Sequence, residues 1–232
     1  MTIAQMHTAV KLGLDKSSAL DTPGYEDGEI DLWLNKAILK FIKTRYSGVN
    51  MKKESFEQTQ KRTDDLRTLV TRAIIALETA DDLPNAYSIA PTASDTFPED
   101  YLLSISEEVN SDDLGKRLGI TQCTHDRYRQ AIDDPFSEHI LHYNNAKPLR
   151  LFDQDHVKII TDGNYTLDEY YITYIRMPAT VNNTAPVIED RVDCDLPEHT
   201  HDEIVEMTVS MMLENIEQPR YQSHSGEVAT ME

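Results

Sequence analysis

The chain has 232 residues, 39% of them hydrophobic, with 41 Asp/Glu against 22 Lys/Arg and a formal net charge of −19. That balance argues against wrapping of DNA, because phosphate binding is driven by cationic neutralisation, and two cysteines make no disulfide framework. No run approaches the ~20 apolar residues of a membrane span, and MTIAQMHTAVKLGLDK has no signal-peptide layout, so an intracellular protein without membrane contact is expected.

The acidity is uneven. Residues 1–82 carry 12 Lys/Arg and 13 Asp/Glu, whereas residues 83–232 carry 10 and 28. In chain order, Ile3, Met6, Val10 and Leu14 recur at helical spacing, and Asp21-Thr-Pro-Gly24 breaks the pattern. A helix is predicted over about Asp27 to Tyr46, with Ile30, Trp33, Leu34, Ala37, Ile38, Phe41 and Ile42 on one face. Lys36, Lys40 and Lys43 share the opposite stripe. Such a stripe is either a plain solvated face or a cationic surface that meets an acidic neighbour, for which a second copy would serve. After Ser47-Gly48, one long helix is expected from Ser55 to Ala80. Ser55 and Gln58 have capping-box spacing, no Gly or Pro intervenes, and Phe56, Thr63, Val70 and Leu77 recur at sevens. At about 1.5 Å per residue it would span roughly 39 Å and form an antiparallel hairpin with the helix before it.

Beyond Asp81-Asp82-Leu83-Pro84 the period changes to two. Strands are predicted over Tyr101–Val109, Arg117–Thr124 and Leu149–Phe152. Val157–Thr161 and Glu169–Met177, joined through Asp162-Gly163-Asn164, read as a hairpin. HDRYRQAIDDPF reads as a short helix and a turn at Pro135, and residues 178–196 as a long connection. A last helix begins after Pro197, with a Thr200/Glu203 capping box and an apolar face of Ile204, Val205, Thr208, Met211, Met212 and Ile216. The expected fold class is therefore α+β: a helical bundle of residues 1–84, completed by a C-terminal helix over residues 197–218, with an inserted, mainly antiparallel β domain over residues 85–196.

No catalytic signature stands out: there is no P-loop, GxGxxG or GxSxG. His199-x-His201 with Asp202 and Cys194 has zinc-compatible residue types, but Thr200 between the histidines is needed for the cap. His139-x-x-His142 reads as surface histidine. The seven carboxylates between Asp95 and Asp113 contain no EF-hand loop. Asp64-Asp65, Asp112-Asp113 and Asp133-Asp134 are sequence neighbours whose side chains diverge, so solvated surface is their default. Trp33 is expected in the core. No catalytic, cofactor-binding or metal-binding residue is assigned.

Six stretches in this order carry a resemblance: IDLWLNKAILKFIKTRY, SFEQTQKRTDDLRTLV, FPEDYLL, the Asp134-Pro135-Phe136 turn, YYITYIRMPATV and LPEHTHDEIVEMTVSMMLENI. Together they resemble the neck and tail ring proteins of crAss-like bacteriophages and, more distantly, the head-to-tail adaptors of short-tailed phages. The resemblance implies a structural virion component with no catalytic residues or cofactor. It implies a ring of twelve copies beneath the portal, contacts with the portal and neighbouring tail ring proteins, and DNA passing through without sequence-specific binding. Residues 219–232 would then be a polar tail docked on a neighbour. An acidic channel lining, from residues 95–113 or 189–206, would repel phosphate at short range. Two other readings compete: a soluble cytoplasmic protein-binding module or assembly chaperone, and a metal-dependent hydrolase around His199 and His201.

Overall fold

The computed structural model describes residues 1–15, 25–47, 56–80, 83–89, 97–143, 145–153, 156–185, 187–215 and Gly226. The chain is α+β, with five α-helices and one eight-stranded sheet among the described residues. No helix among them is long and apolar enough to cross a membrane. The fold has two compact units, residues 1–69 with 177–232 and residues 70–176. The Asp21–Gly24 break, Ser55 with its capping box, Ile216 and, apart from Gly226, the tail 219–232 lie outside the described residues.

In the first unit, α1 (Ile3–Asp15) buries Ile3, Met6, Val10 and Leu14, the predicted stripe. Helix α2 (Asp27–Tyr46) has the predicted bounds and buries Ile30, Leu34, Ala37, Ile38, Phe41 and Ile42. At its start the Glu26 N–H donates to the Glu29 carboxylate at 3.0 Å, satisfying one orphan amide. Trp33 is only half-buried, at the edge of that face, and the Lys36 ammonium lies 4.3 Å from its ring centroid. Helix α5 (His201–Asn215) buries Ile204, Val205, Thr208, Val209, Met212 and Leu213. Thr200 does not cap it: its hydroxyl donates back to Pro197 O at 2.8 Å within a 3₁₀ turn, Glu198–Thr200. Gly13 of α1 permits a close approach, since a Cβ there would stand 2.8 Å from Val209 Cγ2.

The long helix from Ser55 to Ala80, and with it the helical hairpin, is not what forms. A 3₁₀ turn (Phe56–Gln58), α3 (Gln60–Leu66) and a second 3₁₀ turn (Arg67–Leu69) lead into strand β1 (Val70–Thr79). The reason lies in VTRAIIALET. Five of its ten residues are β-branched, and it also reads with period two. Ile75 is buried and Ala73 and Leu77 pack on the same core, while Ile74, Ala76 and Glu78 are exposed. Pairing along a whole neighbouring strand outweighs a weak helical preference.

The second unit is the sheet. Its strands are β1, β2 (Ala86–Ile89), β3 (Tyr101–Ser111), β4 (Lys116–Gly119), β5 (Thr121–Gln122), β6 (Leu149–Asp153), β7 (His156–Ile160) and β8 (Glu169–Arg176). Their order is β4-β3-β8-β1-β2-β7-β6-β5, antiparallel except for the β5–β6 pair. β1 belongs to both halves: Val70–Ala76 pair with β8, and Leu77–Thr79 with β2. Side chains of both halves meet in one core, including Ile75, Val109, Val157, Ile159, Tyr170 and Ile172.

β7 and β8 exist as predicted but do not form the expected hairpin. β7 pairs with β2 and β6, and β8 with β1 and β3. The segment between them is a crossing connection, pinned because Tyr165 and Leu167 are buried. Gly163 in it has φ 81°, and a Cβ there would meet the Asn85 side chain at 2.9 Å. Consecutive strands pair antiparallel as β1–β2, β3–β4 and β6–β7, the second of these through Asp112–Gly115 with Gly115 at φ 60°. The single strand expected over Arg117–Thr124 is divided into β4 and β5. β3 has register shifts at Tyr101/Leu103 and Ser104/Ser106, which break its simple alternation. The short helix before Pro135 is α4 (His125–Asp133).

Candidate functional site: exposed interaction surfaces

Several charged residues that read as surface are structural. In the first unit Arg45 and Asp65 are 2% and 1% exposed, with Nε 3.1 Å from Oδ2. The contact is electrostatic, because that N–H is not aligned for a hydrogen bond. Arg45 also pairs with Glu203, and His199 Nε2 lies 3.0 Å from Asp65 Oδ1. This network joins α2, α3 and the start of α5. A second one joins α1 to α2: His7 Nε2 is 2.7 Å from Asp31 Oδ1, and Asp31 also accepts from Asn183 N–H and the Thr184 hydroxyl. Asn35 bonds both backbone groups of Val181, so the connection after β8 is fastened along α2.

The histidine pair with metal-like spacing is divided between two jobs. His199 faces Asp65, while buried His201 bonds Leu196 O at 2.9 Å. Among the described residues, no group of three or more His, Cys, Asp or Glu stands close enough together to hold a metal. His139 is not surface: it is 3% exposed, its Nδ1 lies 2.9 Å from the Ser137 hydroxyl, and burial lowers its pKa. Asp65, likewise, is core. In the acidic run before Asp113, Glu107 turns inward to pair with buried Arg150, and Glu108 lies 4.0 and 3.9 Å from Arg72 and Arg117. That run is therefore not a uniform acidic face. Cys123 and Cys194 are free, and burial raises both thiol pKa values.

An open cleft of about 390 Å³ lies beside Asn85, Tyr87, Asp113 and Tyr165. Its one carboxylate, Asp113, is occupied by the Thr166 N–H and hydroxyl, whose hydrogen bonds lower its pKa. No nucleophile–base pair faces it.

What the second unit does present is a braced loop with two bare aromatic rings. Phe136 is 88% exposed and Tyr143 is fully exposed. The Phe136 N–H donates to Asp134 Oδ1 at 2.9 Å, an Asx turn that aims the ring outward. Tyr143 sits at φ 50°, between His142 and Asn145, which exchange backbone bonds of 2.9 Å. The left-handed region costs an L-residue about 1–2 kcal/mol, so this conformation is imposed by its surroundings. Those include Tyr165 OH donating to His139 O, Leu141 N–H donating to Asp162 and Lys147 N–H donating to Glu138 O. Rigid exposed aromatics are the residues that supply binding energy at protein interfaces. Sequence reasoning passed over both; the signal available was an aromatic residue directly after Asp-Pro in an otherwise polar turn.

In the first unit, the outward face of α2 shows exposed Leu32, Lys36, Lys40 and Lys43.

The sequence model of the crAss-like family described as phage tail ring protein 3/4 matches residues 1–222, nearly the whole chain. Among curated proteins, none matches significantly.

Proposed function

The chain belongs to the phage tail ring protein 3/4 family, and on that premise we propose that copies of it close into a collar around the DNA channel between the capsid portal and the tail. In this reading the ring holds twelve copies, and it touches the portal and neighbouring ring proteins. The protein works as a structural part of the virion, without catalysis. The helices of residues 1–69 and 177–215 act as a bundle that frames the ring, the β unit is an insertion into it, and residues 219–232 strap onto a neighbour. A net charge of −19 suits a passage that must not hold DNA, since like charge repels phosphate within about 10 Å.

The observation that carries an assembly role is the braced loop with Phe136 and Tyr143 exposed. A solitary protein gains nothing from holding two aromatics in water against backbone strain. The test is mass by light scattering, alone and with the portal, for the native chain and for Phe136→Ala combined with Tyr143→Ala. The expected native species is a closed ring or a portal-bound one, and the double variant should weaken it by tenfold or more, about 1.4 kcal/mol or above, with its melting unchanged. A native chain that stays monomeric and ignores the portal would turn the reading to a protein-binding module.

A further inference from the structure

The outward face of α2 carries cations that no carboxylate among the described residues neutralises, with the Lys36 ammonium lying over the Trp33 ring. Leu32, Lys36, Lys40 and Lys43 follow each other at spacings of four, four and three, so they form one stripe along the helix. All four are exposed, Leu32 at 56%. Among the described residues none of the three lysines has a carboxylate partner, although the chain has 41 acidic residues to offer. Like charges four apart on a helix repel. An isolated molecule this acidic would relieve that repulsion with one nearby Glu; among the described residues none does so.

A patch of the same build and opposite sign lies in the same unit. Val187 is 50% exposed and Val192 36%, and between them Glu189 and Asp190 are exposed in a 3₁₀ turn, Ile188–Asp190. The turn is held in shape by paired backbone bonds between Asn182 and Val192, of 3.2 and 3.0 Å. Neither carboxylate has a cationic partner among the described residues, and the adjacent Arg191 is half-buried.

We propose that the α2 stripe is the docking surface for the acidic 187–193 segment of a second copy of this chain. The two patches are opposite in charge and alike in their flanking apolar side chains, and they are built from different residues, so one copy can give the stripe and the next the acidic turn. A contact of that kind is heterologous, so repeating it closes into a ring when the rotation allows. The inference rests on the ring reading above and supplies it with one subunit contact. Acidic protein is preferred to DNA as the occupant because a chain of net charge −19 resists approach to phosphate, while its own acidic patch has no cationic partner among the described residues.

Two charge-reversed chains test this: Lys36→Glu with Lys40→Glu, and Glu189→Lys with Asp190→Lys. A third chain carries all four changes. Light scattering follows each across protein concentration, alone and on the portal, at low and high salt. The native chain should assemble and should do so less well in high salt, because exposed charge pairs are screened. Each two-site variant should need at least tenfold more protein to assemble while melting like the native chain. The four-site chain, and an equal mixture of the two variants, should assemble again. The proposal is overturned if the lysine variant assembles like the native chain, or if exchanging the charges fails to restore assembly. It is also overturned if the stripe binds duplex DNA and the reversal abolishes that alone. A native chain that never assembles defeats the ring reading itself, which is a different result from a ring indifferent to these charges.

Discussion

The two units of the chain are tied together internally by different means. In the helical unit, elements far apart in sequence are joined by a few buried or half-buried polar side chains: His7 with Asp31, Asn35 with Val181, and Arg45 with Asp65 and Glu203. In the β unit the ladders carry the connections, as in the seven-residue pairing of β1 with β8, and buried Arg150–Glu107 is added on top. A unit held by a few nodes should fail at a node, whereas a unit held by a ladder should degrade gradually.

The sharpest way to break that comparison is to remove the arginine from each buried pair. Arg45→Ala leaves Asp65 in the core with His199 beside it, and should destabilise the helical unit by about 3–5 kcal/mol. Hydrogen exchange should speed up in α2 and α5 while β1 and β8 stay protected. Arg150→Ala leaves Glu107 uncompensated but every ladder bond intact, so a smaller loss of about 2–3 kcal/mol is expected. Equal losses by denaturant titration, or exchange spreading evenly through both units, would erase the distinction.

A smaller effect comes from the two tight glycines. Gly163→Ala combines a positive φ with a Cβ 2.9 Å from Asn85, and should cost about 1–3 kcal/mol. Gly13→Ala meets Val209 at 2.8 Å, costing about 1–3 kcal/mol from overpacking. Up to about 1 kcal/mol returns through helix propensity, so the helical site should be the more tolerant in melting experiments.

The outline of the helical unit was legible where one face alone had to be buried. α1 and α2 followed from Ile3, Met6, Val10 and Leu14 and from the Ile30–Ile42 set. The strands β3, β6, β7 and β8 were visible too, through alternation and β-branched composition. Partners were not legible. VTRAIIALET satisfies both periods, and only the length of β8 beside it decides for strand. Asp162-Gly163-Asn164 has hairpin chemistry, yet burial of Tyr165 and Leu167 carries the chain across to another neighbour. The exposed surfaces divided likewise. The lysine stripe could be read from spacing, and Phe136 from its place after Asp-Pro, but the outward Tyr143 depends on bonds accepted by Asp162, Glu138 and His139, which no local pattern reveals.

The smallest effect concerns acid. Asp162 is partly buried, which alone would raise its pKa, but hydrogen bonds from Leu141 N–H and from Asn164 outweigh this and lower it from the ordinary 3.8. Asp27 is lowered chiefly by the Lys11 ammonium 2.6 Å away. A depressed carboxyl stabilises the fold fully above its ordinary pKa and loses that contribution as pH falls through the lowered value. Both units should therefore weaken below about pH 4. Added salt should shrink the Asp27 contribution and spare that of Asp162, whose donors are amides. Acid titrations of Asp27→Asn and Asp162→Asn at two salt concentrations would show whether the slopes separate this way.

The β unit begins at Val70 and ends at Arg176, and Val70 pairs with Ile175. Directly paired antiparallel residues stand about 5 Å apart, so the chain enters and leaves the β unit at nearly the same point. Because its two ends lie side by side, the β unit could be excised or exchanged as one piece, with a short linker from Leu69 to Met177 closing the remaining chain.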